Sequence, residues 1–133
     1  MQSQQLKQSR REESHGNLCE ELLKERAAVL SRAGMAVEDA IAELTEMECS
    51  IQIKNERLKS LMQQDQAGDC FHSRQALIEE INGAIDQFNA VRKKAQLKYY
   101  YLIVTREALG LRRHEMIQEI YPIPLKKKKM QAV

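Results

Sequence analysis

"QDQAGDCFHS", residues 64–73, decides how the chain is folded, because the segments on either side of it keep the same seven-residue period. Counting back from it, apolar residues stand at Leu58, Ile51, Leu44, Val37, Leu30 and Leu23; counting forward, they stand at Ile81, Phe88, Ala95, Leu102, Leu109 and Met116. Further apolar residues flank both rows, among them Ala40, Ile41, Met47 and Leu61 before the break, and Leu77, Ile78, Ala84, Ile85, Val91 and Tyr99 after it. A sustained seven-residue spacing keeps one stripe of a helix facing a partner helix, the signature of a coiled coil. Within the stretch, Gly68 can stop a helix and Asp69 or Ser73 can cap the next one, so residues 66–73 are expected to form a turn.

Pairing the two rows outward from the turn gives Leu58 with Ile81, Ile51 with Phe88, Leu44 with Ala95, Val37 with Leu102, Leu30 with Leu109 and Leu23 with Met116. A common period guarantees that these pairs share a midpoint, but not where it falls. It falls between Asp69 and Cys70, inside the expected turn. The predicted fold is therefore all-α: a long antiparallel two-helix hairpin over residues 17–121.

The ends of the hairpin follow from capping chemistry. Asn17 with Glu20 three residues on, directly after Gly16, makes a variant of the capping box, and Pro122 and Pro124 cannot continue a helix past Tyr121. Each helix would then be about 50 residues and about 75 Å long. Residues 1–16, largely polar, and residues 122–133, carrying the lysine run, are expected to be disordered tails. Continuity of the period to Met116 favours one unbroken second helix, with a short third helix over 111–120 as the alternative if Gly110 breaks it.

Composition agrees with this outline. The chain has 133 residues with 5 Gly, 2 Pro, no Trp, 4 Tyr and 2 Phe, too few turn formers and large core residues for a β-sandwich or an α/β globule. The 3 cysteines form no Cys-x-x-Cys pair and the N-terminus shows no secretory leader, which points to a reducing, cytoplasmic setting. The apolar run Tyr99–Val104 is far shorter than the roughly 20 residues of a membrane-spanning helix, so no span is expected.

That run instead suggests an interface. Successive helical residues are about 100° apart, so Tyr99, Tyr100 and Tyr101 cover too wide an arc for one seam. Tyr99 and Leu102 fall in the hairpin seam, opposite the small residues of 33–42, leaving Tyr100, Tyr101, Ile103 and Val104 as a partner or self-association face. Two hairpins packed through it would form a homodimeric four-helix arrangement. The alternative covers are the folded-back N-terminal segment or a different protein.

Candidate chemistry is sparse. Cys70 lies near His72, and His114 precedes Glu115, but neither builds a Cys/His ligand set, and no nucleophile motif or phosphate-cradling loop occurs. Neither an enzyme, a metal site nor a cofactor is expected. Charge is more informative: residues 1–91 hold 10 Lys/Arg against 16 Asp/Glu, whereas residues 92–133 hold 11 against 3. Lys93, Lys94, Arg112, Arg113 and the tail residues Lys126, Lys127, Lys128 and Lys129 could meet a nucleic-acid backbone. Arg92 and Lys98 are expected to be neutralised within the hairpin by Glu38, Asp39, Glu43, Glu46 and Glu48, and the lysine run has no obvious counterpart there.

The functional expectation is a non-catalytic coiled-coil interaction protein, an adaptor, chaperone or assembly component that binds protein partners through its helical surfaces. The alternative is a nucleic-acid- or ribosome-associated protein using the basic C-terminal region.

Overall fold

A computed structural model describes residues 2–64 and 71–131. They form α1 (Gln2–Gln64), α2 (Phe71–Ala108) and the short α3 (Glu115–Ile120). The two long helices pack against each other as a hairpin, and no strand occurs among the described residues. Of the expected turn, residues 66–70, including Gly68, Asp69 and Cys70, lie outside the described residues, while Phe71, His72 and Ser73 already belong to α2.

The seven-residue rows form the core. Val37, Leu44, Ile51 and Leu58 of α1 and Ile81, Phe88, Ala95 and Leu102 of α2 are all at most 5% exposed. Ala40, Leu77 and Ile85 complete the buried set from the flanking positions. Each large aliphatic or aromatic side chain so removed from water contributes about 1.5–3 kcal/mol before conformational entropy is set against it. Lys54, a polar interruption of the seam, leans out to pair with Glu80 at 3.3 Å.

Two boundaries differ from the sequence reading. First, α1 does not start at Asn17 but runs through it from Gln2, so residues 2–16 are helical. That segment is rich in Gln, Glu, Lys and Arg, all good helix formers. Gly16 costs only about 1 kcal/mol within a helix, which is too little to break one that continues favourably on both sides. Second, α2 does not continue to Tyr121. It stops at Ala108, and Gly110 adopts φ +87°, a left-handed conformation that side chains disfavour. The Leu111 N–H donates to the Arg106 carbonyl at 2.9 Å and the Gly110 N–H to that of Glu107 at 3.0 Å. These two bonds are the Schellman closure of a helix end. Leu23 and Met116, the outermost expected pair, are accordingly exposed at 65% and 71%.

The connection to α3 is clamped from the last turn of α2. Arg106 donates from its guanidinium to the Arg113 carbonyl at 2.9 Å and to His114 Nδ1 at 3.4 Å, and His114 Nε2 meets Glu107 at 3.2 Å. With Nδ1 accepting, Nε2 carries the proton that it donates to Glu107. After α3 the chain does not leave as a free tail. Residues 121–131 run non-helically back along the hairpin towards the turn. No described helix is long and apolar enough to cross a membrane.

Candidate functional site

The returning segment lies between the two helices in a groove to which both contribute. At its start the Tyr121 hydroxyl donates to Glu38 Oε1 at 2.8 Å, passing close to Gly34, where a Cβ would stand 3.4 Å from the phenolic oxygen. Donation to the Glu38 carboxylate, then partial burial, then the negative charge of Glu38 hold the phenol above its ordinary pKa. Pro122, Ile123 and Pro124 then line an open hollow together with Ile41, Leu44, Thr45 and Glu48 of α1. From the other wall, Arg92 Nε donates to the Pro124 carbonyl at 2.6 Å.

Farther along, two asparagines of α2 grip the main chain. Asn89 Nδ2 donates to the Lys127 carbonyl and Asn89 Oδ1 accepts from the Lys127 N–H, both at 2.9 Å. Asn82 does the same for Met130, donating to its carbonyl at 3.0 Å and accepting from its N–H at 2.7 Å. A side-chain amide offers one acceptor and two donors, and here it satisfies both polar groups of one tail residue. Charged side chains complete the site: Lys127 Nζ sits 3.2 Å from Glu48 Oε1 and 5.1 Å from the centre of the Phe88 ring, and Lys129 pairs with Asp86 at 2.9 Å. Beyond them Met130 helps line a mainly apolar recess of about 350 Å³, with Leu58, Met62, Phe71 and Ile78 and, at its polar side, Arg74, Gln75 and Gln131.

This arrangement engages three of the residues expected to pair within the hairpin in other contacts. Glu48 is taken by Lys127 and Glu38 by Tyr121, while Arg92 turns to a tail carbonyl. Sequence reasoning missed Asn82 and Asn89 altogether. The available signal was two poor helix formers seven residues apart on one helix face, with Pro-x-Pro later in the chain.

The remaining candidate residues are dispersed. Tyr100, Tyr101 and Val104 are exposed at 60%, 51% and 42%, with the two rings 6.1 Å apart, whereas Ile103 is half-buried beside Tyr99, His114 and Gln118. Lys93 and Lys94 are exposed on α2 and Arg112 and Arg113 in the α2–α3 connection. Lys126, Lys128 and Lys129 are exposed on the tail, with Lys127 half-buried. The basic residues therefore occupy three separate elements. Cys19 and Cys49 are exposed thiols, and no group of three His, Cys, Asp or Glu side chains among the described residues is placed to hold a metal ion.

A further surface lies where α2 does not reach. N-terminal to Leu30, no helix among the described residues packs beside α1, and every described side chain from Ser3 to Val29 is exposed. Leu18, Leu22, Leu23 and Val29 belong to this free length. Comparison with known proteins returns no match to any family model, curated protein or solved structure.

Proposed function

We propose that the chain is a non-catalytic coiled-coil interaction protein, an adaptor, chaperone or assembly component, which binds helical protein partners and a second copy of itself. The observation that carries this reading is the unfinished seam of α1. The row Val37, Leu44, Ile51, Leu58 is buried against α2, yet the same row continues through Leu30 to Leu23, where Leu22 and Val29 stand beside it uncovered. A stripe that is half seam and half free surface is what a helix needs in order to pair with α2 in one part and with another helix in the other. Tyr100, Tyr101, Ile103 and Val104 supply a second apolar face on the opposite helix.

Sedimentation equilibrium tests the reading. A dimer at micromolar concentration is expected for the intact chain, and monomers are expected for Leu22→Glu/Leu23→Glu or for Tyr100→Glu/Tyr101→Glu, whichever face joins the copies. A monomer persisting at high micromolar concentration rules out self-pairing. Capture from cell extract with the intact chain, lost with the same variants, then identifies a face used for other proteins. Salt-sensitive binding of RNA or DNA that depends on Lys126 to Lys129 would instead favour the nucleic-acid reading.

A further inference from the structure

The tail groove has the attributes of a site built for an extended peptide. Asn82 and Asn89 stand seven residues apart on α2, about 10.5 Å along its axis. The tail residues they hold, Lys127 and Met130, are three apart, and three residues of extended or polyproline chain span about 9–11 Å. Successive asparagines therefore meet successive third residues of the occupant. Five hydrogen bonds go to the occupant's main chain, at Pro124, Lys127 and Met130. Any peptide carries those groups.

Selection enters at three points. Glu48 and the Phe88 ring ask for a cation at the Lys127 position, and Asp86 asks for one two residues on. Where no asparagine waits, the occupant has Pro122 and Pro124, which have no N–H to satisfy and already favour an extended backbone. The tail also stands apart from the helix–helix seam: among the described residues every buried side chain lies on α1 or α2, and α3, which connects the tail to them, buries none. Removing the occupant would leave the seam contacts between α1 and α2 in place.

We propose that this groove is a binding site for extended basic peptides of the pattern Pro-x-x-Lys-x-Lys, occupied in the resting molecule by residues 121–131 and available to a segment of that chemistry on a partner protein. The tethered tail competes at an effective concentration of roughly millimolar, so the site is masked until the tail is loosened.

The test uses the whole 133-residue chain and a fluorescent 11-residue peptide copying Tyr121–Gln131. In Lys127→Glu/Lys129→Glu the chain's own tail carries the wrong charge opposite Glu48 and Asp86, and the amides of residues 121–131 should exchange with solvent faster than in the intact protein. This protein should bind the peptide at least about ten-fold more tightly than the intact chain does, by about 1.4 kcal/mol. Adding Asn82→Ala/Asn89→Ala should abolish binding, as should Glu at the two lysine positions of the peptide. A helical circular dichroism spectrum in each variant separates loss of the groove from loss of the fold. Should the alanine pair unfold, Asn82→Ser/Asn89→Ser, too short to reach the tail, replaces it. The proposal is overturned if the loosened protein shows no saturable binding, if its tail stays as protected as the original, if binding survives loss of both asparagines, or if a scrambled peptide of equal charge binds equally well.

Discussion

The two ends of this chain are opposites in what orders them. From Ser3 to Val29 the chain is regular α-helix in which every described side chain is exposed, held by backbone hydrogen bonds and helix propensity. From Tyr121 to Gln131 it has no regular secondary structure, yet it is fastened to both helices by hydrogen bonds to Glu38, Asn82, Asn89 and Arg92 and by ion pairs to Glu48 and Asp86. Regularity and attachment are thus independent properties. A helix closes its backbone bonds within itself, whereas an extended segment must find partners for its N–H and C=O groups elsewhere.

The sharpest way to break the contrast is to remove what lies beneath the tail. Phe88→Ala takes away a fully buried ring that also underlies Lys127. It should cost about 3–5 kcal/mol in a chemical denaturation experiment and free the tail to trypsin at the same time. Leu22→Ala, on the free length of α1, should leave the monomer's midpoint unchanged.

Next in size is Asn89→Ala, which orphans the N–H and C=O of Lys127. The tail should loosen by about 1–3 kcal/mol, seen as faster tryptic cleavage and hydrogen exchange in residues 121–131. The amides of residues 3–29 should show no change. Gly110→Ala, forced into a left-handed φ, should cost about 1 kcal/mol. It should disturb the α2–α3 connection before it disturbs the hairpin, as followed by amide chemical shifts of residues 106–114.

The smallest effect is a pH effect. The phenol of Tyr121 has its pKa raised in the fold by donation to Glu38. Its contribution is therefore complete below the unfolded value near 10 and lost as pH rises through the higher folded value. Tail protection should be flat from about pH 6 to 9 and fall above about 10, and Glu38→Gln should lower the pH at which it falls.

The hairpin was legible because burial imposes a period. Val37, Leu44, Ile51 and Leu58, with Ile81, Phe88, Ala95 and Leu102, reveal the seam by their spacing alone, and all eight are buried. Gly110 was ambiguous, since a glycine can be carried through a helix or can close one. The Schellman bonds resolve that choice only once Leu111 and Arg106 are placed. The tail site was not legible because the grip of Asn82, Asn89 and Arg92 is on main-chain atoms, which leave no residue pattern in the segment being held. Asn82 and Asn89 have the same outward appearance in a sequence as any polar residues on a helix surface. The lysine run, read in isolation, resembles a solvated tail, although two of its ammonium groups have carboxylate partners.

The two asparagines also act as a vernier. Seven helical residues advance about 10.5 Å, while three residues in a polyproline conformation advance about 9.3 Å, so the two scales slip by about 1 Å at each repeat. Two successive marks can coincide, as Asn82 with Met130 and Asn89 with Lys127 do. The next anchor, on Pro124, comes from the long and adjustable Arg92 rather than from a third residue at the same spacing. A straight helix can thus gauge only a short length of extended chain before the graduations diverge, which sets an upper limit on the ligand this groove can measure.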